Sequence, residues 1–166
     1  MVEYLYQVDK HNKVLGKVER NFAHENGILH RAGMVLIFNK NNELFLTKRA
    51  KTKSYSNCYD CGCSYHIQYG ETNDGALKRE LFEETKLKEN PIFFGDFLID
   101  SEISLEKMFV LVYVLITDSK IVLDSKEAVD GKYYSLKEAD KLISKESVIW
   151  LKQAWGLYKK VNNLFI

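Results

Sequence analysis

Proline is almost missing from this chain: its 166 residues contain one, Pro91. No internal repeat, linker or low-complexity segment interrupts the sequence. No run of about 18 apolar residues occurs, so no membrane-spanning helix is expected. Neither sign of charge prevails, with 24 Lys and Arg against 23 Asp and Glu and a net charge of +1. Without a basic field, a nucleic-acid polymer is not an expected partner. Cysteine is scarce and odd in number (Cys58, Cys61, Cys63). The opening Met1-Val2-Glu3-Tyr4 lacks the basic-then-apolar pattern of a secretion signal. Together these predict reduced thiols and a cytoplasmic protein.

What is present is ordinary globular composition, 46% apolar and 28% charged. A single domain over residues 1–166, large enough to bury a sizeable core, is expected. Residues 3–8 and 14–20 read as a hairpin of strands around a polar turn. His24-Glu25-Asn26-Gly27 reads as a turn. Met34–Phe38 is a continuous apolar run, consistent with a strand buried on both faces, and Glu43–Thr47 returns beside it. Residues 50–58 read as loop. A helix is predicted over 73–86, capped by Thr72 or Asn73. Strands follow over 92–99 and 107–116, with a short one at 131–134. Helices are predicted from Ser135 or Leu136 to about Ile143, and over 147–161. Interleaved strands and helices give an α/β or α+β class, with a mixed sheet between helices.

The chemistry concentrates in Gly70–Thr85. Glu80, Glu83 and Glu84 fall at i, i+3 and i+4, hence on one helical face. Like charges so placed cost a few tenths of a kcal/mol each on a bare helix. A hard divalent cation turns that cost into a gain, because Mg²⁺ and Mn²⁺ prefer oxygen ligands. A solvated acidic face is the commoner fate of such a cluster. Its company raises the odds: Glu71 on a turn, Arg79 directly before Glu80, and aliphatic Leu77 and Leu81.

With this spacing the stretch resembles the signature of the Nudix hydrolases: Gly, five residues, Glu, seven residues, Arg-Glu, an aliphatic, one residue, Glu-Glu, one residue, Gly, an aliphatic. Glu71, Arg79, Glu80, Leu81, Glu83, Glu84 and Leu87 are in register, and Tyr65 and Lys86 replace the two glycines. The likeness widens to the branch that resembles isopentenyl-diphosphate isomerase. It is carried by Val8-Asp9, Asn12–Gly16, Arg20, Ala23-His24, Gly27, Leu29–Arg31, Phe38-Asn39, Leu44, Arg49 and Lys53.

The resemblance implies an α/β/α sandwich with a central mixed β-sheet. It implies hydrolysis of a diphosphate linkage in a nucleoside-diphosphate-linked or related small molecule, with Mg²⁺ or Mn²⁺. Glu80 and Glu84 would ligate metal, Glu83 would assist, and Glu80 is a candidate base. Arg79 is a catalytic-site candidate whose favoured role is a positioning salt bridge to Glu71. Tyr65 would offer a backbone carbonyl to the metal, provided its loop keeps a glycine-like shape. Lys86 would end the helix left-handed, at a cost of about 1 kcal/mol. Arg49 and Lys53 are candidates for a diphosphate clamp, with Glu71 and Glu127 beside them as substrate-site candidates. Many relatives of this kind are dimers, which leaves a homodimer open without deciding it.

Isomerase chemistry is the alternative. That enzyme uses a cysteine just before the His of a Cys-Gly-His segment. Here Ser64-Tyr65-His66 aligns, Cys63 is one residue out of register, and a one-residue slip reverses a strand's face. Hydrolase is therefore favoured. A non-catalytic nucleotide- or protein-binding member of the fold is the third reading. His24 and His30 match metal ligands of the isomerase but are read here as loop-anchoring. The three cysteines and His66 have zinc-ligand chemistry, but their crowding on one strand favours a core role. Tyr55, Tyr59, Tyr65, Tyr69 and Phe82 have faces on which a base could stack, although core packing is the commoner role.

Overall fold

The computed structural model describes residues 2–100 and 105–164. Strands β1 (Tyr4–Val8) and β2 (Val14–Glu19) form the expected hairpin. Helix α1 (Arg20–Asn26) follows at once, where a strand end and a turn were expected. Glu19 starts it by accepting hydrogen bonds from the N–H groups of Asn21 and Phe22. Gly27 ends it at φ 59° and donates its own N–H to the Ala23 carbonyl. The glycine taken for a turn residue is thus a left-handed helix terminator.

The central strand is β3 (His30–Phe38). It runs parallel to β8 (Lys107–Ile116) along its whole length. It also pairs antiparallel with β6 (Cys63–His66), and at its end with β4 (Leu44–Arg49). β4 pairs with β5 (Tyr59–Cys61) and β9 (Ala128–Tyr134), and β8 pairs with β7 (Ile92–Asp100). The result is a mixed sheet of nine strands.

Alternate β3 residues feed two cores, as a strand's period of two requires. Met34, Leu36 and Phe38 pack toward α3 (Leu136–Glu146) and α4 (Ile149–Val161), against Ile143, Leu151 and Trp155. Val35 and Ile37 pack toward α2 (Asn73–Thr85), against Ala76, Leu77 and Leu81. This is the α/β/α sandwich with a central mixed sheet. Fully burying a side chain such as Leu81 contributes about 1.5–3 kcal/mol. Among the described residues, no helix is long and apolar enough to cross a membrane.

Both lost glycines have a structural answer. Thr72 caps α2 by accepting from the Gly75 N–H at 3.0 Å. Lys86 ends it at φ 62°, left-handed despite its side chain, and its ammonium donates to the Glu83 carbonyl at 3.1 Å. That interaction favours a cation at a helix C-terminus and offsets part of the strain. Tyr65 lies in strand β6, opposite Gly33 on β3, rather than in a reshaped loop. A Cβ at position 33 would stand 2.5 Å from the Tyr65 ring. The glycine lost at 65 is matched by one at 33, and the tyrosine ring fills the space beneath α2.

Candidate functional site

A cavity of about 410 Å³ opens on the α3–α4 side of the sheet. Its floor is apolar, with Ala32, Met34, Met108 and Val110, and Trp150 of α4 closes one wall. Its rim carries Arg20, Arg49, Lys53, Glu106 and Glu127. β6 supplies Ser64 and His66, one residue to either side of Tyr65.

Three histidines converge at one end. His24 comes from α1, His30 opens β3, and His66 ends β6; the register Ala32↔His66 draws the two strands together. One ligand nitrogen from each lies within 4.8 Å of the others. The tautomers follow from the partners. His30 Nδ1 lies 2.8 Å from the Ile28 carbonyl, which can only accept, so Nδ1 carries the proton. Nε2 of neutral His30 is then a bare lone pair, and it is buried with no hydrogen-bond partner. His24 Nδ1 faces Glu106 at 3.2 Å, which leaves its Nε2 turned to His66 Nε2 at 3.1 Å. Burial is the main reason that His30 is held down to about pH 4 and His66 well below the usual histidine range. All of this fits a divalent ion: two imidazoles kept neutral by burial, an orphaned lone pair, and a carboxylate behind the third ring. Among the described residues, these histidines are the His, Cys, Asp and Glu group whose ligand atoms converge closely enough to share an ion. Imidazole suits a transition ion better than Mg²⁺.

The carboxylates on α2 divide into two groups. Arg79 forks onto Glu71 through Nε and Nη2, at 2.7 and 2.9 Å. Its Nη1 reaches Glu80 at 2.7 Å and Glu83 at 3.3 Å. The guanidinium thus knits the turn at Glu71 to α2, and Glu71 is held below the usual carboxylate range chiefly by that pairing. Glu83 lies outermost, its side chain 56% exposed. Glu84 instead points inward, beneath the Ser64 N–H at 3.3 Å. It shares a small recess beside the main cavity with Arg49, Asp60, Ser64 and Glu127. Burial, then the charges of Glu80, Glu127 and Asp60, push the Glu84 carboxyl well up. A buried carboxyl so surrounded takes up either a proton or a cation.

The basic candidates both line the cavity, each with an anion already. Lys53 pairs with Glu127 at 2.6 Å. Arg49 pairs with Asp60 at 2.7 Å and donates Nε to the Ser54 carbonyl at 2.9 Å. The cavity therefore gathers Arg49, Lys53, Glu127 and the Tyr65 segment, with Glu84 adjoining. Glu71, Arg79, Glu80 and Glu83 form a separate ion cluster along α2. Sequence reasoning passed over Asp60, although it is the lone Asp, Glu, Lys or Arg between residues 54 and 70. A single charge in so uncharged a stretch is a readable sign of a buried ion pair. Cys61 and Cys63 are buried and unpaired, on either side of the bend at Gly62. Their thiols are pushed up mainly by burial, and neither lines the main cavity.

Residues 28–153 match the family model of the NUDIX domain. The chain is 29% identical over 161 residues to isopentenyl-diphosphate Delta-isomerase 2 of Photorhabdus laumondii, covering 92% of this chain and 90% of that one. It is 25% identical over 133 residues to an uncharacterised Nudix hydrolase of Pseudomonas aeruginosa, covering 79% and 78%. A crystal structure of a Deinococcus radiodurans protein superposes with a TM-score of 0.76 at 19% identity, over 94% of this chain and 99% of that one.

Proposed function

Since the chain belongs to the Nudix family, we propose that it is a divalent-metal-dependent hydrolase that cleaves the diphosphate linkage of a nucleoside-diphosphate-linked or related small molecule. One observation carries the choice of hydrolysis over isomerisation. Ser64 occupies the cavity wall at the position aligned with the isomerase's cysteine, and Cys63 faces away into the core under α2. Moving a proton on and off carbon calls for a group that ionises readily, and a serine hydroxyl does not.

In this reading the Arg49 fork and the Lys53 ammonium hold the diphosphate oxygens. The phosphate replaces Glu127 as the partner of Lys53. Glu127, so released, takes the proton of the attacking water as its oxygen bonds to phosphorus. The bridging P–O bond breaks, and the leaving phosphate keeps the bond's electron pair. His24, His30 and His66 would hold one divalent ion. Glu84 would hold Mg²⁺ or Mn²⁺ in its recess, with Glu80 and Glu83 joining it only once they leave Arg79. Such ions neutralise phosphate charge and acidify bound water. Arg79 positions Glu80 through its Nη1 bond while its fork grips Glu71. A cytoplasmic setting belongs to the proposal and rests on the three free thiols.

Release of phosphate or nucleotide should be assayed over a panel of diphosphate substrates, isopentenyl diphosphate included, with Mg²⁺ or Mn²⁺. No turnover on any of them sinks the proposal. The second reading, an isomerase, draws on the name of the Photorhabdus relative. Double-bond migration without phosphate release would establish it.

A further inference from the structure

We propose that Asp60 is the positioning residue of this cavity, setting the Arg49 guanidinium for diphosphate and turning the Ser64 hydroxyl away from it. The inference rests on the diphosphate reading above. Asp60 sits on β5 and is 3% exposed. Its carboxylate accepts four hydrogen bonds. Oδ1 takes the Cys61 N–H at 2.8 Å and Trp150 Nε1 at 3.0 Å. Oδ2 takes Arg49 Nη1 at 2.7 Å and Ser64 Oγ at 3.1 Å. Three of these donors are cavity-lining side chains, delivered by β4, β6 and α4. One buried anion therefore ties together walls drawn from two strands and a helix.

The consequence for Arg49 is geometric. Asp60 holds Nη1, the Ser54 carbonyl holds Nε, and the Trp150 ring lies 5.3 Å from the guanidinium carbon. Two of the five N–H groups of an arginine are thereby spent, and three remain for phosphate oxygens. A free arginine side chain loses rotamer entropy when a ligand fixes it; this one is fixed beforehand. For Ser64, donating to Asp60 leaves its oxygen only lone pairs to present. That repels a phosphate oxygen and welcomes the O–H of a water. A buried ion pair is by itself weak evidence for stability, since packed apolar side chains often serve as well. Here the pairing is spent on groups that face the cavity.

The test uses inorganic pyrophosphate as probe, measured by titration calorimetry with Mn²⁺, on the native protein, Asp60→Asn, Arg49→Ala and the double variant. An Asn keeps one acceptor for Trp150 and Cys61 but presents N–H to Arg49, which swings the guanidinium out. Asp60→Asn is expected to weaken binding about tenfold, through lost orientation. It should weaken binding no further once Arg49 is Ala. In turnover, KM should rise more than kcat falls. Unchanged or tighter binding in Asp60→Asn overturns the inference, and so does an equal loss in the Arg49→Ala background. If the native protein binds no pyrophosphate, the functional reading falls and takes the inference with it. Should Asp60→Asn not fold, nuclear magnetic resonance of the native protein decides. Hindered rotation at the Arg49 guanidinium before ligand is added supports the inference, and freely averaged Nη signals overturn it.

Discussion

Placing an alanine at Gly33 should destabilise the protein because of Tyr65. Gly33 does not sit at positive φ, so its backbone tolerates alanine. Glycine in a strand costs about 0.5–1 kcal/mol relative to alanine, which alone would make the change favourable. The new Cβ, however, would lie 2.5 Å from both Cζ and Oη of Tyr65 and 2.8 Å from Cε2. That ring is packed under α2 with Leu77 and Leu81, not at the end of a flexible chain. Overpacking costs about 1–3 kcal/mol, and contacts this short belong at about 2–3 kcal/mol, so the clash wins by roughly 1–2 kcal/mol. For a protein of this size, that lowers the unfolding midpoint by about 2–8 °C. Thermal unfolding followed by circular dichroism, without metal, measures it. In a Tyr65→Ala background, which is itself about 3 kcal/mol less stable, Gly33→Ala should cost nothing or stabilise. An equal cost in both backgrounds, or none in the native one, would refute the claim that Gly33 makes room for Tyr65. Ser64 and His66 flank that tyrosine, so Gly33→Ala should also lower metal affinity.

Other outcomes follow from the same site. Without metal, the protein should lose stability as pH falls from 6.5 to about 4, because unfolded His30 takes a proton that the buried ring refuses. The loss is at most about 3 kcal/mol, and a His30→Asn variant should show a flatter profile in urea titrations. Glu84→Gln should raise the metal-free unfolding midpoint, since it removes a crowded buried acid, while abolishing stabilisation by added Mg²⁺; a lower midpoint would contradict the crowding. Arg79→Lys keeps the charge but loses the fork onto Glu71. With both partners about a quarter exposed, roughly 1–2 kcal/mol should go, together with most of kcat in phosphate-release assays. Glu127→Gln should bind pyrophosphate more tightly by calorimetry, since Lys53 is freed, yet turn over more slowly; weaker binding would count against partner exchange.

Periodicity carried the elements that bury a continuous apolar face. The 107–116 strand and the Thr72-capped helix lie where the residues put them, because burial and capping are local chemistry. Helix α1 was not legible: Glu is an uncommon N-cap, and seven residues show too little period. The one strand read through the three cysteines and His66 is two, β5 and β6, split at Gly62, where a Cβ would lie 2.5 Å from Ile37 Cδ1. The acidic helix face could be read because its members are neighbours in sequence. Its division into an outer, arginine-bound group and an inward Glu84 could not, since that depends on β6 passing beneath. The histidine cluster joins positions 24, 30 and 66, and His66 finds its place through strand register. The alternation of β6, with Ser64 and His66 on one face and Cys63 and Tyr65 on the other, was the available signal.

The wall cations arrive in matched couples: Arg20 with Glu3, Arg49 with Asp60, and Lys53 with Glu127. A cavity so neutralised projects little attractive field into solvent, so it does not steer anions from a distance. Association rates should then vary little with ionic strength, unlike those of an open basic funnel. A lone orthophosphate would have to displace a resident carboxylate with a single set of oxygens, whereas a chelated diphosphate brings two. On the hydrolase reading, the paired wall would favour prompt departure of the cleaved fragments and resist inhibition by free phosphate.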